Sequence, residues 1–332
     1  GEGAAGEEGE WVPVAVKVLH PGVRPVVAAD LDLLRFVARS AVRAVPSWKW
    51  LNPTGMVEDF AAMLTEQLDL RVEARNLEHF HRNFHRAGGD APLVIFPAPL
   101  EPYCTADVLV ETFIEGEPLL EWERRQPRMG ADAELDLLRH RMCNRGIDAF
   151  IQMLFEDNFV HGDLHPGNIL VTPRGELAFL DAGIALEYSA EDHLLLIGVL
   201  GEFMRHDGAA AARLLLASAE RGAAEEGVET CVDPGGFQRK LHDMVIMARD
   251  HPSFFEKIGE CYNIITGAAC EHRVKLKSGF VSIALSVKAV EGAAIALAPN
   301  INLTDRAKAV VLWEYMRRRV RAMLFPPTPA PA

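Results

Sequence analysis

The chain has no Cys-x-x-Cys pair, no excess of basic residues and no apolar run long enough to cross a bilayer. Its five cysteines (Cys104, Cys143, Cys231, Cys261 and Cys270) are scattered. They indicate neither a zinc site nor a disulfide framework, and a reducing interior is the simplest setting. Lys and Arg number 34 against 47 Asp and Glu, a net charge of -13. Binding a phosphate backbone needs a basic surface, so this balance argues against nucleic acid as a partner. The best candidate for a span, residues 283–297, is interrupted by Lys288 and Glu291. It reads as a buried amphipathic helix. The first residue is Gly1, not Met, and no signal peptide is seen. The chain reads as a fragment, so its lack of a targeting segment carries no weight.

Hydrophobic residues at 49% over 332 positions suffice for a real core in one large domain or two lobes. Residues 1–10 are Gly, Glu and Ala and read as a flexible insertion or linker. Val14, Val16 and Val18 alternate with Ala15 and Lys17, which predicts a strand with Lys17 opposite the valines. Pro21-Gly22 ends it. A helix is expected over 30–45, and a second from Asn52-Pro53-Thr54 to about Phe84. Gly88-Gly89 breaks the pattern. Strands are expected over 93–96 and 108–114. From Asp132 helix dominates, with a long amphipathic helix over 135–155. Two short strands, 169–171 and 177–180, flank the turn Pro173-Arg174-Gly175. Helix then runs from Glu191 to about Met323, and the proline-rich tail 326–332 cannot be helical. A linker near Glu115–Pro118 separates a strand-containing part, 11–116, from a helical part, 117–325.

His161-Gly162-Asp163-Leu164-His165-Pro166-Gly167-Asn168 starts where the long apolar helix ends. Asp163 and Asn168 have the Asp-x-x-x-x-Asn spacing of a kinase catalytic loop. Phosphoryl transfer consists mostly of positioning and charge neutralisation. Asp163 would orient the acceptor hydroxyl, and Asn168 would give a metal a neutral oxygen. Asp181, after an apolar strand and before Gly183, would bridge Mg2+ to the phosphates of ATP, because hard cations take oxygen ligands. Lys17 in Val-Ala-Val-Lys fits the strand lysine that contacts the α- and β-phosphates. Its partner should be a helical glutamate, and Glu73 is the choice.

Four segments together resemble the UbiB/aarF-domain atypical kinase family. They are Val14 to Gly22, Gln67 to Asn76, His161 to Asn168, and Leu180-Asp181-Ala182-Gly183. The resemblance covers most of the chain from about residue 11. It implies an α+β, protein-kinase-like two-lobe fold whose small N-lobe, incomplete here, carries a family-specific helical insertion. It also implies ATP and Mg2+ as cofactors, and a role in coenzyme Q biosynthesis or related mitochondrial lipid metabolism. Lipid or quinone precursors and a mitochondrial membrane surface become candidate partners. By position it assigns Lys17 and Glu73 to the ion pair, and Asp163, Asn168 and Asp181 to catalysis and metal binding. Glu111, Thr112 and Phe113 fall at the interlobe hinge, where backbone groups meet adenine. Two departures stand out. The family's Glu-x-Asp is Gln67-Leu68-Asp69, and Asp-Phe-Gly is Asp181-Ala182-Gly183. The family's Lys-x-Gly-Gln segment and alanine-rich nucleotide loop are not found.

Two other readings remain open. Aminoglycoside- or choline-type small-molecule kinases also carry His-Gly-Asp-x-x-x-x-Asn. A pseudokinase scaffold would account for Ala182 and Gln67. The Gly-x-Gly-x-x-Gly of residues 1–6 follows no strand and precedes Glu7 and Glu8, so it is set aside. His79, His81 and His85 read as a solvated face, and Arg317, Arg318, Arg319 and Arg321 as dipole-complementing residues.

Overall fold

The computed structural model describes residues 12–44, 53–85, 92–226, 231–250, 258–276, 292, 294, 308 and 310–317. The expected features within 1–10, at Gly88-Gly89, over most of 283–297, at Arg318, Arg319 and Arg321, and in the tail lie outside these residues. The chain divides into two compact units. One comprises Gly1–Gly116 with Ala178–Ile184, the other Glu117–Leu177 with Ala185–Ala332.

In the first unit β1 (Val14–Val18) pairs antiparallel with β2 (Val108–Thr112), Lys17 opposite Leu109 and Ala15 opposite Glu111. Residues 98–100 line the other edge of β2, through Leu100 N to Val110 O at 2.8 Å and Thr112 N to Ala98 O at 2.9 Å. The period of two puts Val14, Val16 and Val18 on the exposed face and turns Lys17 inward. Gly22, at φ 80°, makes the turn after β1, a backbone region that favours glycine.

α1 (Val23–Ala44) begins seven residues earlier than the periodicity suggests. Pro25 sits in its first turn, where a missing N–H costs nothing. The single helix expected to Phe84 is two, α2 (Pro53–Glu66) and α3 (Leu70–Phe84). The break falls at Gln67-Leu68-Asp69. Asp69 takes extended dihedrals, and its side chain accepts from Arg71 N at 3.0 Å. An aspartate that bonds its own downstream amide starts a helix more readily than it continues one. The strand expected over 93–96 is one parallel bridge, Ile95 to Ala178. Here the apolar residues serve the core instead. Phe96 stacks on Phe80 at 4.7 Å and meets Phe179 edge-on at 5.7 Å, with Leu77, Val94 and Leu109 buried in the same unit.

In the second unit β3 (Glu117–Pro118) leads into α4 (Leu119–Arg125). α5 (Ala133–Ile151) is capped by Asp132, which accepts from Glu134 N and Leu135 N. The buried Arg139 on α5 is satisfied by Glu123, Asp136 and the Pro127 carbonyl. α5 continues as a π-helical turn at Gln152–Asp157, closed by Asn158 in the left-handed region; the helix expected over 135–155 is present, α-helical to Ile151 and π-helical beyond. β4 (Phe159–His161) follows, then the turn carrying Asp163, then β5 (Ile169–Val171), antiparallel to β3. Gly175, at φ 71°, closes the turn into β6 (Leu177–Phe179), whose last two residues belong to the first unit. β7 (Ala185–Glu187) pairs with β4; both are three-residue strands that alternation cannot reveal. α6 (Ala190–Met204), α7 (Gly208–Glu226), α8 (Pro234–Asp250) and α9 (Ile258–His272) complete the defined helices. Residues 310–317 are also helical. Arg317 bonds Glu314 one turn back.

Candidate active site

Three charged side chains from separate segments meet in the first unit. Lys17 Nζ donates to Glu73 Oε1 and Oε2 at 2.9 and 2.7 Å, and to Asp181 Oδ2 at 3.1 Å. β1 supplies the lysine and α3 the glutamate. The loop after Phe179 supplies the aspartate. Glu73 is buried, whereas Lys17 and Asp181 are each about half exposed. One cation thus ties a buried base to an open carboxylate. Burial opposes the charge on Lys17, but Glu73 and Asp181 outweigh it and raise its pKa. Burial likewise pushes Glu73 up, partly offset by Lys17.

Asp181 has φ 47°, a left-handed conformation uncommon for residues other than glycine, asparagine and aspartate. Its Oδ1 accepts from Gly183 N at 3.3 Å. A Cβ at Gly183 would lie 3.2 Å from that same oxygen, so the glycine leaves the carboxylate room. Ala182 is fully buried. Asn76 Nδ2 donates to its carbonyl at 2.8 Å, and Phe179 is locked against Phe96. The segment is therefore held from both ends without the expected aromatic residue. Asn76 was not singled out as a site residue from the sequence. The usable signal was its place three residues after Glu73, on the same face of α3.

Glu111 is the fourth charged group here. Burial pushes its carboxyl up to about 7, reinforced by Glu73 and Asp181 and opposed by Lys17. The backbone donors beside it are engaged: Thr112 N with Ala98 O at 2.9 Å and Phe113 N with Pro13 O at 3.3 Å. An adenine contact through either N–H would displace an existing bond.

Asp69 ends up in a different environment from the cluster. Arg71 forks its carboxylate at 2.6–3.2 Å and holds its pKa down at about 2. This is a helix-start device, and Gln67 lies in the same break.

In the second unit Asp163 and Asn168 belong to one tight turn between β4 and β5. Asn168 Nδ2 donates to the Asp163 carbonyl at 3.1 Å. Asn168 N donates to the His165 carbonyl at 2.9 Å. Buried Leu164 anchors the turn. The Asp163 carboxylate is open to solvent, with His165 Nε2 at 4.0 Å. With Nδ2 used, Oδ1 is the Asn168 atom that remains to meet a metal.

A family model described as the ABC1 atypical kinase-like domain matches residues 4–215. The chain belongs to the ABC1 atypical kinase-like family. A mitochondrial ABC1 family protein of Saccharomyces cerevisiae is 27% identical, over 93% of this chain and 52% of its own length. One of Schizosaccharomyces pombe is 30% identical over 89% and 46%. The probable protein kinase UbiB of Pseudomonas putida is 28% identical over 92% and 54%. The chain thus spans about half the length of these relatives. ABC1 membership gives the α+β, two-lobe kinase-like fold expected from the four segments.

Proposed function

We propose that this chain is the nucleotide-binding and catalytic part of an ATP-dependent phosphotransferase or ATPase of the UbiB type. The observation that carries this reading is Lys17, held by buried Glu73 and touching Asp181 at 3.1 Å. A lysine between a buried carboxylate and an exposed one is pre-positioned for the α- and β-phosphates of a nucleotide.

Three carboxylates, Glu73, Asp181 and Glu111, act on a single ammonium group. That negative excess and the Asp181 carboxylate oxygens fit Mg2+, and the resemblance assigns the Asn168 amide oxygen as a further donor. Bound there, the metal would neutralise phosphate charge. Asp163 would orient the acceptor hydroxyl or water, and its open carboxylate leaves space for one.

The yeast relatives named mitochondrial support a place in mitochondria. The resemblance to the UbiB/aarF-domain family suggests a role in coenzyme Q biosynthesis or mitochondrial lipid metabolism, with lipid or quinone precursors at a membrane surface as the partners to test. Within the family, the motif segments resemble those of mitochondrial aarF domain-containing kinase 2, and a kinship with that member belongs to this proposal.

The deciding experiment is thermal stabilisation of the full-length protein by Mg-ATP, in wild type and Asp181→Asn. The expected result is a rise in midpoint for the wild type and none for the variant. Equal stabilisation of both would remove Asp181 from metal binding and with it this reading.

A further inference from the structure

α1 has two apolar faces, and only one is covered. Leu31 and Ala38, seven residues apart, are its buried positions. At about 100° per residue, Leu33 lies about 200° from Leu31, directly outward. Around it Val26, Ala29, Leu33, Phe36 and Ser40 recur at intervals of three, four, three and four. This is the seam of one helix packing lengthwise on another. Val37 widens it. Val26 is 59% exposed, Leu33 60%, Phe36 64% and Val37 53%. Four large apolar side chains in one stripe are more than the scattered exposure of an ordinary surface. Over 14 residues the stripe is about 21 Å long.

We infer that this stripe is a self-association surface, on which α1 packs antiparallel against α1 of a second copy of the chain. Placing the two-fold axis between Leu34 and Arg35 makes every layer complementary. Leu33 faces the partner's Phe36 twice, which puts four large side chains at the centre. Ala29 faces the partner's Ser40, small against small. Val26 faces the partner's Arg43, whose aliphatic stem can cover it. On one flank of the seam Asp32 and Arg39 stand seven residues apart. In the antiparallel pair each Asp32 meets the partner's Arg39, and the pairing repeats by symmetry. Asp32 Oδ1 accepts from Arg35 of its own helix at 3.1 Å, but the Asp32 side chain stays 79% exposed and Arg39 is exposed, so a partner can still reach both.

A lipid surface fits less well. Among the described side chains of α1 and α2, Arg24, Arg35, Arg39 and Arg43 are offset by Asp30, Asp32, Glu58 and Glu66. An interfacial helix needs a basic surplus. The reciprocal Asp32–Arg39 match is specific to a second copy.

The test is the mass of the 332-residue chain in solution by sedimentation over a concentration range. Asp32→Arg and Arg39→Asp should each weaken the dimer at least tenfold. An equimolar mixture of the two variants should restore it, because one chain then carries both arginines and the other both aspartates. Phe36→Glu, at an exposed site, should give a folded monomer whose melting temperature no longer rises with protein concentration and equals that of the wild-type chain diluted to monomer. A chain that is monomeric at every concentration would overturn the inference. So would a dimer indifferent to these changes, or a mixture that stays monomeric. Binding of a monomer to anionic phosphatidylglycerol vesicles that Phe36→Glu abolishes would assign the stripe to membrane and overturn it equally.

Discussion

Lys17 Nζ donates to both carboxylate oxygens of Glu73, 56 residues away, at 2.9 and 2.7 Å. Glu73 is buried and Lys17 half exposed, so losing the lysine hurts most through the acid left behind. Lys17→Met should destabilise the protein by about 1–2 kcal/mol, below the figure for a fully buried pair because solvent screens the lysine side. It should also abolish Mg-ATP binding. Glu73→Gln keeps a hydrogen-bond acceptor and should cost less stability. Paired urea titrations would check this. A Lys17→Met midpoint equal to wild type would mean the pair is not holding β1 to α3.

Glu111 gives the first unit a pH dependence. Its folded carboxyl is pushed up to about 7 from an ordinary 4.5, first by burial and then by Glu73 and Asp181. The folded state therefore holds this proton more tightly than the unfolded chain. Stability falls as pH rises through the window from about 4.5 to 7 and is flat above it. The penalty at pH 8 is at most about 3 kcal/mol, at about 1.4 kcal/mol per unit. Glu111→Gln should raise the melting temperature by several degrees at pH 8, and the gain should shrink toward nothing near pH 5. A gain independent of pH would show that repacking, not charge, is responsible.

The sequence revealed what repeats or carries charge. Alternating valines exposed β1 and the inward face of Lys17. The spacing from Asp163 to Asn168 exposed a turn that the structure closes with the Asn168 amide on the Asp163 carbonyl. What stayed hidden depends on tertiary context. Asp69 looks like an ordinary helix residue until its side chain takes the Arg71 amide and splits one helix into two. Phe96 reads as strand by propensity, yet its ring is claimed by Phe80 and Phe179. Asn76 lies at the end of the Gln67–Asn76 segment, but its bond to Ala182 crosses 106 residues, a pairing no local pattern announces.

Asp69 should prove structural. It caps α3 through the Arg71 N–H and forks the Arg71 guanidinium. Asp69→Ala should cost about 1 kcal/mol, the usual price of a lost cap. Asp69→Asn should recover most of that, since its amide oxygen still accepts. Nucleotide affinity should follow stability only. A large loss of Mg-ATP affinity in an Asp69→Asn protein of normal stability would instead place Asp69 in the nucleotide site.

Asp163→Asn separates chemistry from binding. The turn around Asp163 is fixed by its main chain: its carbonyl accepts from Asn168 Nδ2 and from His165 N. Leu164 is buried beside it. The Asp163 side chain contributes none of these bonds; His165 Nε2 lies 4.0 Å from its Oδ2. Replacing one carboxylate oxygen by an amide should therefore leave the fold and the melting temperature unchanged. It removes the group that orients or accepts the proton of the attacking hydroxyl, a role worth about 10²–10⁴ in rate. In the full-length protein, ATP turnover should fall by about that factor, while Mg-ATP still raises the melting temperature as in wild type. Hydrolysis at the wild-type rate would leave a nucleotide-binding scaffold as the better account. Loss of Mg-ATP stabilisation would move Asp163 from the reacting hydroxyl to the metal.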